Sequence, residues 1–133
     1  MTSLNHESAL KLLDITLKPS GAIVQSAIGD FTTEQSLQNE IAVLRTGGTM
    51  ELYRITVEED DGVDPTVSLK LVTRMETRSI LRCMTVVRLS GGGKRDVLAV
   101  GSDSGCVTVV DFEGGVGTVL HCSEFGKVGE FIL

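Results

Sequence analysis

Residues 97–112 have the sequence VLAVGSDSGCVTVVDF, in which two short Val-rich runs flank a polar segment, Ser102-Asp103-Ser104-Gly105. Branched side chains such as Val favour strands, and Asp, Ser and Gly favour tight turns. The pattern predicts a β-hairpin whose Gly105 takes the left-handed conformation of a hairpin bulge. We expect the role of this turn to be architectural.

A second hairpin pattern lies 57 residues upstream, where residues 40–55 read EIAVLRTGGTMELYRI. That offset matches Ala42-Val43 with Ala99-Val100, Gly48 with Gly105, Leu52 with Val109, and Ile55 with Phe112. It also carries residues 22–28 onto 79–85. Each unit reads as four strands with a tight hairpin between the second and third, which is typical of a β-propeller blade. A β-sandwich is the alternative, since regularly spaced short strands suit it too.

The predicted strands are separated by Gly-rich or polar turns, and no long amphipathic helix pattern occurs. In chain order they cover residues 10–17, 22–28, 41–44, 50–57, 67–73, 80–89, 97–100, 106–112 and 118–122. Residues 32–40 are predicted to form an exposed loop. The fold class is therefore all-β, an incomplete propeller of about two four-stranded antiparallel blades, similar to the blades of WD-repeat propellers.

Two blades cannot close a ring, because propellers contain about four to eight blades that cover one another's faces. We divide the chain into a polar leader (residues 1–9), the first blades of an N-terminal propeller (10–129) and a truncated end (130–133). Further sequence or a partner is expected to cover the open faces. Otherwise the isolated chain would expose apolar surface and sheet edges that promote aggregation.

Composition excludes several classes of function. The net charge of −6 and a pI near 4.8 argue against direct binding to a nucleic acid backbone, which needs clustered Lys and Arg. Residues 1–8 lack a secretory signal, and no run approaches the roughly 20 apolar residues of a membrane helix. We expect a soluble, intracellular chain. Its core is predicted to be aliphatic, because Phe occurs four times, Tyr once and Trp never.

Cysteine and histidine offer few catalytic possibilities. Cys83, Cys106 and Cys122 each lie in an apolar run without a Cys or His neighbour at metal spacing, so we interpret them as reduced core thiols rather than redox or metal ligands. His6 lies in the leader. His121 adjoins Cys122, but neighbours on a strand point to opposite faces. A structural role is favoured for both histidines.

Two further segments resemble ligand loops only superficially. Gly91-Gly92-Gly93-Lys94 suggests a phosphate loop, yet Arg88 replaces the first Gly of that motif, Arg95 replaces its Ser/Thr, and a strand follows. We interpret it as a hairpin loop. The acidic run from Glu58 to Asp64 lacks the alternation of a calcium loop and is expected to be solvated, with attraction of a partner as the alternative.

We therefore predict no enzyme, no catalytic residue, no cofactor and no metal. The residues that bind partners stay unassigned. The loops 58–64 and 90–95 are candidates only because loops commonly carry contacts.

A family resemblance appears in the stretch from 80 to 111, which contains RLSGGGKRDVLAVGSDSG. It resembles the N-terminal region of the splicing factor 3B subunit 3 family, in which a Leu-Thr/Ser-Gly-Gly loop, a strand and Gly-Ser-Asp-Ser-Gly follow in that order. Phe125-Gly126-Lys127 with Gly129 is similar to the next family motif, Phe-Gly-Lys-x-Gly. The resemblance spans about residues 10–129.

The resemblance implies a very long chain of three propellers that acts as a non-catalytic scaffold in pre-mRNA splicing. It implies a nuclear location, contact with other splicing factor 3b subunits and the branch-site-recognising small nuclear ribonucleoprotein, indirect association with nucleic acid, and no membrane. The wider superfamily also contains a propeller adaptor of a ubiquitin ligase and DNA-damage-binding complex, and a subunit of the mRNA 3′-end cleavage factor. These alternatives are disfavoured, since they lack the motif from Gly101 to Gly105.

The chain also departs from the family pattern. After Phe-Gly-Lys-x-Gly the family continues with Cys and basic residues, whereas this chain has Glu130-Phe131-Ile132-Leu133. The leader and the acidic loop are longer than is usual in the family.

Overall fold

Eight strands form two four-stranded antiparallel sheets in a computed structural model that describes residues 21–33, 37–88 and 95–125. The first sheet has the order β1-β2-β3-β4 and the second β5-β6-β7-β8. The strands are β1 (Ile23–Gly29), β2 (Glu40–Arg45), β3 (Thr49–Glu58), β4 (Thr66–Glu76), β5 (Leu81–Arg88), β6 (Asp96–Ser102), β7 (Cys106–Asp111) and β8 (Thr118–Glu124). The predicted strands at these places are confirmed, and the one at 10–17 lies outside the described residues.

The two sheets are successive blades of an incomplete propeller, as the sequence predicts. The first strands of the two sheets are neighbours: β1 and β2 lie against β5. The Gln25 side chain on β1 donates to the carbonyl of Met84 at 2.7 Å and accepts from its N–H at 2.8 Å. A side-chain amide thus takes the place of a strand partner between the blades.

One hydrophobic core lies between the facing sides of the sheets. Strand alternation places Ala42 and Leu52 on the side of the first sheet that faces the second, and Leu98 and Val110 on the side that faces back. The buried cluster comprises Phe31, Ala42, Leu44, Met50, Leu52, Leu81, Met84, Leu98, Val100, Val110 and Phe112.

The 57-residue repeat is visible in the orientation of its members. Ala99, the counterpart of Ala42, is the register partner of Val109, the counterpart of Leu52, just as Ala42 pairs with Leu52. Ala42 and Leu52 are buried beneath the second sheet, whereas Ala99 and Val109 lie on the side of the second sheet that points away from the core and are only partly buried. Each sheet therefore offers the same face to the blade that follows.

The prediction of a purely aliphatic core is wrong in one respect. Phe31 and Phe112 are the largest fully buried side chains of the described residues. Their rings meet edge to face, with centroids 6.5 Å apart and an interplanar angle of 79°, the arrangement that aromatic quadrupoles favour.

The burial of individual residues corrects two further expectations, one about the loop 32–40 and one about the cysteines. Residues 32–40 do not form a wholly exposed loop, because Thr32 and Glu40 at its ends are both buried. The three cysteines are free but are not core residues: Cys83 and Cys122 are exposed and Cys106 is half-buried. Strand periodicity predicts which residues share a face, but it does not say whether that face is covered.

The turn between β2 and β3 depends on glycine at two positions for different reasons. Gly47 and Gly48 both have positive φ, 86° and 89°. A Cβ on Gly47 would meet nothing within 4 Å, but one on Gly48 would lie 2.5 Å from the carbonyl oxygen of Ser79. The Gly48 carbonyl accepts the N–H and hydroxyl of Thr77, both at 2.8 Å. This turn therefore packs tightly against the link between the blades.

We predict that Gly48→Ala destabilises the chain more than Gly47→Ala. Both variants incur the cost of a left-handed alanine, roughly 1–2 kcal/mol, but only Gly48→Ala forces a methyl group against backbone. The difference in free energy of unfolding is expected to be about 1–3 kcal/mol, the usual cost of overpacking. Urea denaturation followed by circular dichroism measures it. Equal losses in the two variants would contradict the close approach of Gly48 to Ser79.

Candidate interaction surface

The connections β1–β2, β3–β4, β5–β6 and β7–β8 all lie at one rim of the two blades, because successive antiparallel strands reverse direction. We call this the connection rim. The loop 58–64 lies there, as do the ends of β5 and β6 that flank the loop 90–95. A group of charged side chains beneath these connections joins the two blades. We call it the rim network, and its members are Asp30, Glu40, Arg54, Arg88, Arg95, Asp96 and Asp111.

Asp30 and Asp96 join the blades directly. The N–H of Asp30 donates to Oδ2 of Asp96 at 2.8 Å, and the N–H of Asp96 donates to the carbonyl of Asp30 at 2.7 Å. Arg88 donates from Nε to the other oxygen of Asp96 at 2.9 Å. Gly29 is required for this approach, because a Cβ there would lie 2.9 Å from Oδ2 of Asp96.

The Asp30 carboxylate also orders the loop that follows it. Its oxygens accept the backbone N–H of Gln38 at 2.7 Å and the side-chain amide of the same residue at 2.9 Å. Gln38 has a φ of 52°, an unfavourable value for a residue with a side chain. The two hydrogen bonds to a 1% exposed carboxylate offset that cost.

Glu40, which belongs to the first blade, binds the backbone immediately after Asp30. Its Oε1 accepts the N–H groups of Phe31 and Thr32 at 2.8 and 3.0 Å. Its Oε2 accepts the Thr32 hydroxyl at 2.7 Å and Nη2 of Arg54 at 3.1 Å. Burial alone would raise the pKa of Glu40, but the hydrogen bonds from Thr32, Phe31 and Arg54 together outweigh burial and lower the pKa below its usual range.

Arg95 approaches Phe31 from the second blade. Its guanidinium donates to both oxygens of Asp111, at 2.5 and 3.1 Å, and to the carbonyl of Phe31 at 3.1 Å. Arg95 is the last residue of the loop 90–95, and the rest of that loop lies outside the described residues. Arg95 is therefore the one described cation of the loop 90–95. It lies inside the rim network, where it binds the carbonyl of Phe31.

The rim network is suited to fixing geometry rather than to proton transfer. The carboxylates of Asp30, Glu40, Asp96 and Asp111 each accept at least two hydrogen bonds, so their oxygens are engaged in holding backbone and side-chain donors. Across residues 21–33, 37–88 and 95–125, no group of three or more His, Cys, Asp or Glu is placed to hold a metal ion. Within the same ranges no helix has the length and apolarity to cross a membrane.

The remaining sequence candidates lie apart from this network. The acidic loop from Glu58 to Asp64 is exposed and contains a turn in which the N–H of Val63 donates to the carbonyl of Asp60 at 3.1 Å. His121 and Cys122 point to opposite faces of β8, as predicted: His121 is the register partner of Val109, and Cys122 that of Thr108. His6 lies outside the described residues.

The sequence patterns do not predict the rim network. They also do not predict a buried ion pair that lies outside it. Arg45 and Glu51 form that pair on the side of the first sheet that points away from the core, each with 3% of its side chain exposed. Burial would lower the pKa of Arg45, but the contacts with Glu51 and Tyr53 outweigh it and raise the pKa. The alternation of these charges with apolar neighbours, as in residues 43–45 and 50–52, suggests solvent exposure. Only the fold reveals their burial.

We predict that Glu40→Gln removes a pH-dependent part of the stability. The folded pKa of Glu40 lies below its ordinary value of 4.5, so its contribution is fully present well above pH 4.5 and is lost as the pH falls through the folded pKa. At neutral pH the variant should lose about 1–3 kcal/mol, because a buried amide cannot satisfy every donor.

Urea denaturation at neutral pH and below pH 4.5 measures both effects. Glu59→Gln, in the exposed acidic loop, is the matched control and should leave the stability at neutral pH nearly unchanged. If Glu40→Gln behaves like Glu59→Gln, the described hydrogen bonds of Glu40 do not stabilise the fold.

Comparison with known proteins gives a consistent result. No family model matches the chain. The chain is similar to "Pre-mRNA-splicing factor RSE1" of Mycosarcoma maydis, 28% identical over 120 residues, and of Pyricularia oryzae, 30% identical over 128 residues. It is also similar to "Splicing factor 3B subunit 3" of Danio rerio, 31% identical over 120 residues.

These matches cover 89–92% of this chain and 9% of each relative, so the chain spans about a tenth of the length of the curated proteins it matches. Nearly all of the chain takes part in the match, including both blades. The resemblance to the splicing factor 3B subunit 3 family, first indicated by the stretch from 80 to 111, is thereby confirmed.

Proposed function

We propose that this chain forms two blades of a non-catalytic β-propeller scaffold in pre-mRNA splicing, within a splicing factor 3b complex that recognises the branch site. The observation that carries the proposal is the similarity to splicing factors along about nine-tenths of the chain. The segment from Gly101 to Gly105, which carries much of the sequence resemblance, forms the end of β6 and the turn into β7. The proposed partners are other subunits of that complex.

The physical character of the rim supports a scaffold role. Its buried carboxylates bind guanidinium groups and backbone, and the contacts between Asp30 and Asp96 join the two sheets directly. A rigid scaffold presents its loops in defined positions, and exposed loops on such a scaffold commonly carry binding contacts. We place the chain in the nucleus on the same grounds, as a member of a splicing complex.

The charge of the chain favours protein partners over direct contact with RNA. The net charge is −6, and the described arginines of the connection rim, Arg54, Arg88 and Arg95, all form ion pairs with carboxylates. RNA backbone binding needs clustered cations that are available to phosphate. Association with the branch-site ribonucleoprotein is therefore proposed to be indirect, through other protein subunits.

Affinity purification tests this function directly. The endogenous full-length product that contains these residues should be tagged and recovered from nuclear extract with and without ribonuclease. Splicing factor 3b subunits should be enriched in both samples, because the proposed contacts are between proteins. An untagged strain controls for background. Recovery with a cullin scaffold, or with the 3′-end cleavage machinery, in place of splicing proteins would overturn the proposal.

The acidic loop gives a finer prediction. Replacing Glu58, Glu59, Asp60 and Asp61 by their amides should reduce recovery of a basic partner, and the loss should shrink at high salt, where exposed charges are screened. Val63→Ala, in the same exposed loop and without a change of charge, controls for a non-specific effect of substitution. Unchanged recovery at low salt would show that this loop does not bind the partner. The scaffold role would still be tested by the affinity purification.

A further inference from the structure

Cys106 and Cys122 lie on neighbouring strands, on the same face of the second sheet. In the β7–β8 ladder Cys106 pairs with Glu124 and Cys122 pairs with Thr108, so the two cysteines are diagonal neighbours. Both sulfurs approach one hydroxyl: Thr108 Oγ1 donates to Sγ of Cys122 at 3.5 Å, and Sγ of Cys106 lies 3.9 Å from the same oxygen. Two thiols 16 positions apart in the sequence are thus brought together around a single donor.

The two thiols differ in their surroundings. Cys122 is exposed, whereas Cys106 is half-buried. The hydrogen bond with Cys106, followed by the one with Thr108, lowers the pKa of Cys122, while the contact with Cys122 raises the pKa of Cys106. The Glu124 carboxylate disfavours the thiolate at both positions, but the hydrogen bonds to Cys122 outweigh this effect there. Accessibility and hydrogen bonding therefore both favour Cys122 as the nucleophile.

We propose that Cys122 and Cys106 form a thiol–disulfide exchange site for small-molecule disulfides, with Cys122 as the attacking thiol and Cys106 as the resolving thiol. The inference is independent of the splicing role.

The exchange is balanced with a disulfide of the glutathione type as the oxidant. The Cys122 thiol loses its proton to solvent, and its thiolate attacks one sulfur of the disulfide, whose S–S bond breaks and releases a thiolate that takes up a proton. The Cys106 thiol then loses its own proton to solvent, and its thiolate attacks Sγ of Cys122 in the mixed disulfide. It forms the Cys106–Cys122 bond and releases the second small thiol. Two protein thiols are oxidised and one small disulfide is reduced to two thiols.

Geometry indicates that the product is reversible rather than structural. Diagonal Cα atoms in a regular ladder lie about 7–8 Å apart, slightly beyond the roughly 4.4–6.8 Å of most disulfides. Closing the bond therefore needs a local shift, which is easier at β8 because it is the last strand of its sheet. A bulge between Val109 and Val110 already interrupts this ladder. A strained bond is easily reduced.

The third cysteine provides an internal control. Cys83 on β5 is exposed, as Cys122 is, but it lies opposite Gly101 and away from the β7–β8 ladder. If exposure alone governed reactivity, Cys83 and Cys122 would be modified equally. The pairing predicts that Cys122 reacts first and that only Cys106 and Cys122 become linked.

The test is peptide mapping of these residues in the natively folded product that contains them, after treatment with oxidised glutathione, acid quenching and alkylation of the remaining thiols. The wild-type chain should yield a Cys106–Cys122 linkage that reduced glutathione reverses. Cys106→Ser should instead accumulate a glutathione adduct on Cys122. Cys122→Ser should form adducts at Cys106 at least about fivefold more slowly than Cys122 reacts in the wild type. Cys83→Ser should leave the pattern unchanged.

The same chain unfolded in urea separates pairing from intrinsic reactivity, since the three thiols should then react without preference. An identical pattern in folded and unfolded chains would overturn the proposal. So would preferred modification of Cys83 in the folded wild type, or an equal yield of the Cys122 adduct in wild type and Cys106→Ser. Circular dichroism of each variant confirms that the comparison is between folded chains.

Discussion

The arrangement of the two blades depends on how the segment from Asp30 to Thr32 is held. This segment leaves the first strand and passes between the sheets, so its polar backbone would be buried without strand partners. Carboxylates from both blades satisfy it: Asp96 of the second accepts the N–H of Asp30, and Glu40 of the first accepts the next two N–H groups. A buried unpaired amide would cost about 1–3 kcal/mol, so these contacts decide whether Phe31 can enter the core.

The repeat accounts for buried apolar residues on both faces of each sheet. A sheet with one covered face usually alternates apolar and polar residues, whereas a sheet between two neighbours needs apolar residues on both. Val43 and Leu44 are adjacent and both buried, as are Val97 and Leu98. The 57-residue offset preserves this property, since it superposes residues that point the same way in each blade. Stacking of like units is the organisation from which propellers are built.

The sequence predicts the strands and turns well because their causes are local. Gly105 takes positive φ at the hairpin where turn chemistry places it, and alternation identifies the residues that face the core. The rim network could not be predicted, because its contacts join residues such as Asp30 and Asp96 that are 66 positions apart and follow no period. The sequence also does not predict the burial of Glu40 and Thr32, because polar residues between strands are usually exposed. The exposure of the cysteines is not predicted either. Strand alternation shows which face a residue lies on, but not whether other residues cover that face.

The thiol pair and the seam between the blades share a residue. Thr108, whose hydroxyl lies between Cys106 and Cys122, also lines a cavity of about 70 Å³ between the sheets, together with Met50 and Val110. Most protein interiors have few voids of this size, and a void lets neighbouring side chains shift at low cost. The thiol pair therefore lies beside the seam at the start of β7, whereas Asp111 of the rim network lies at the end of the same strand.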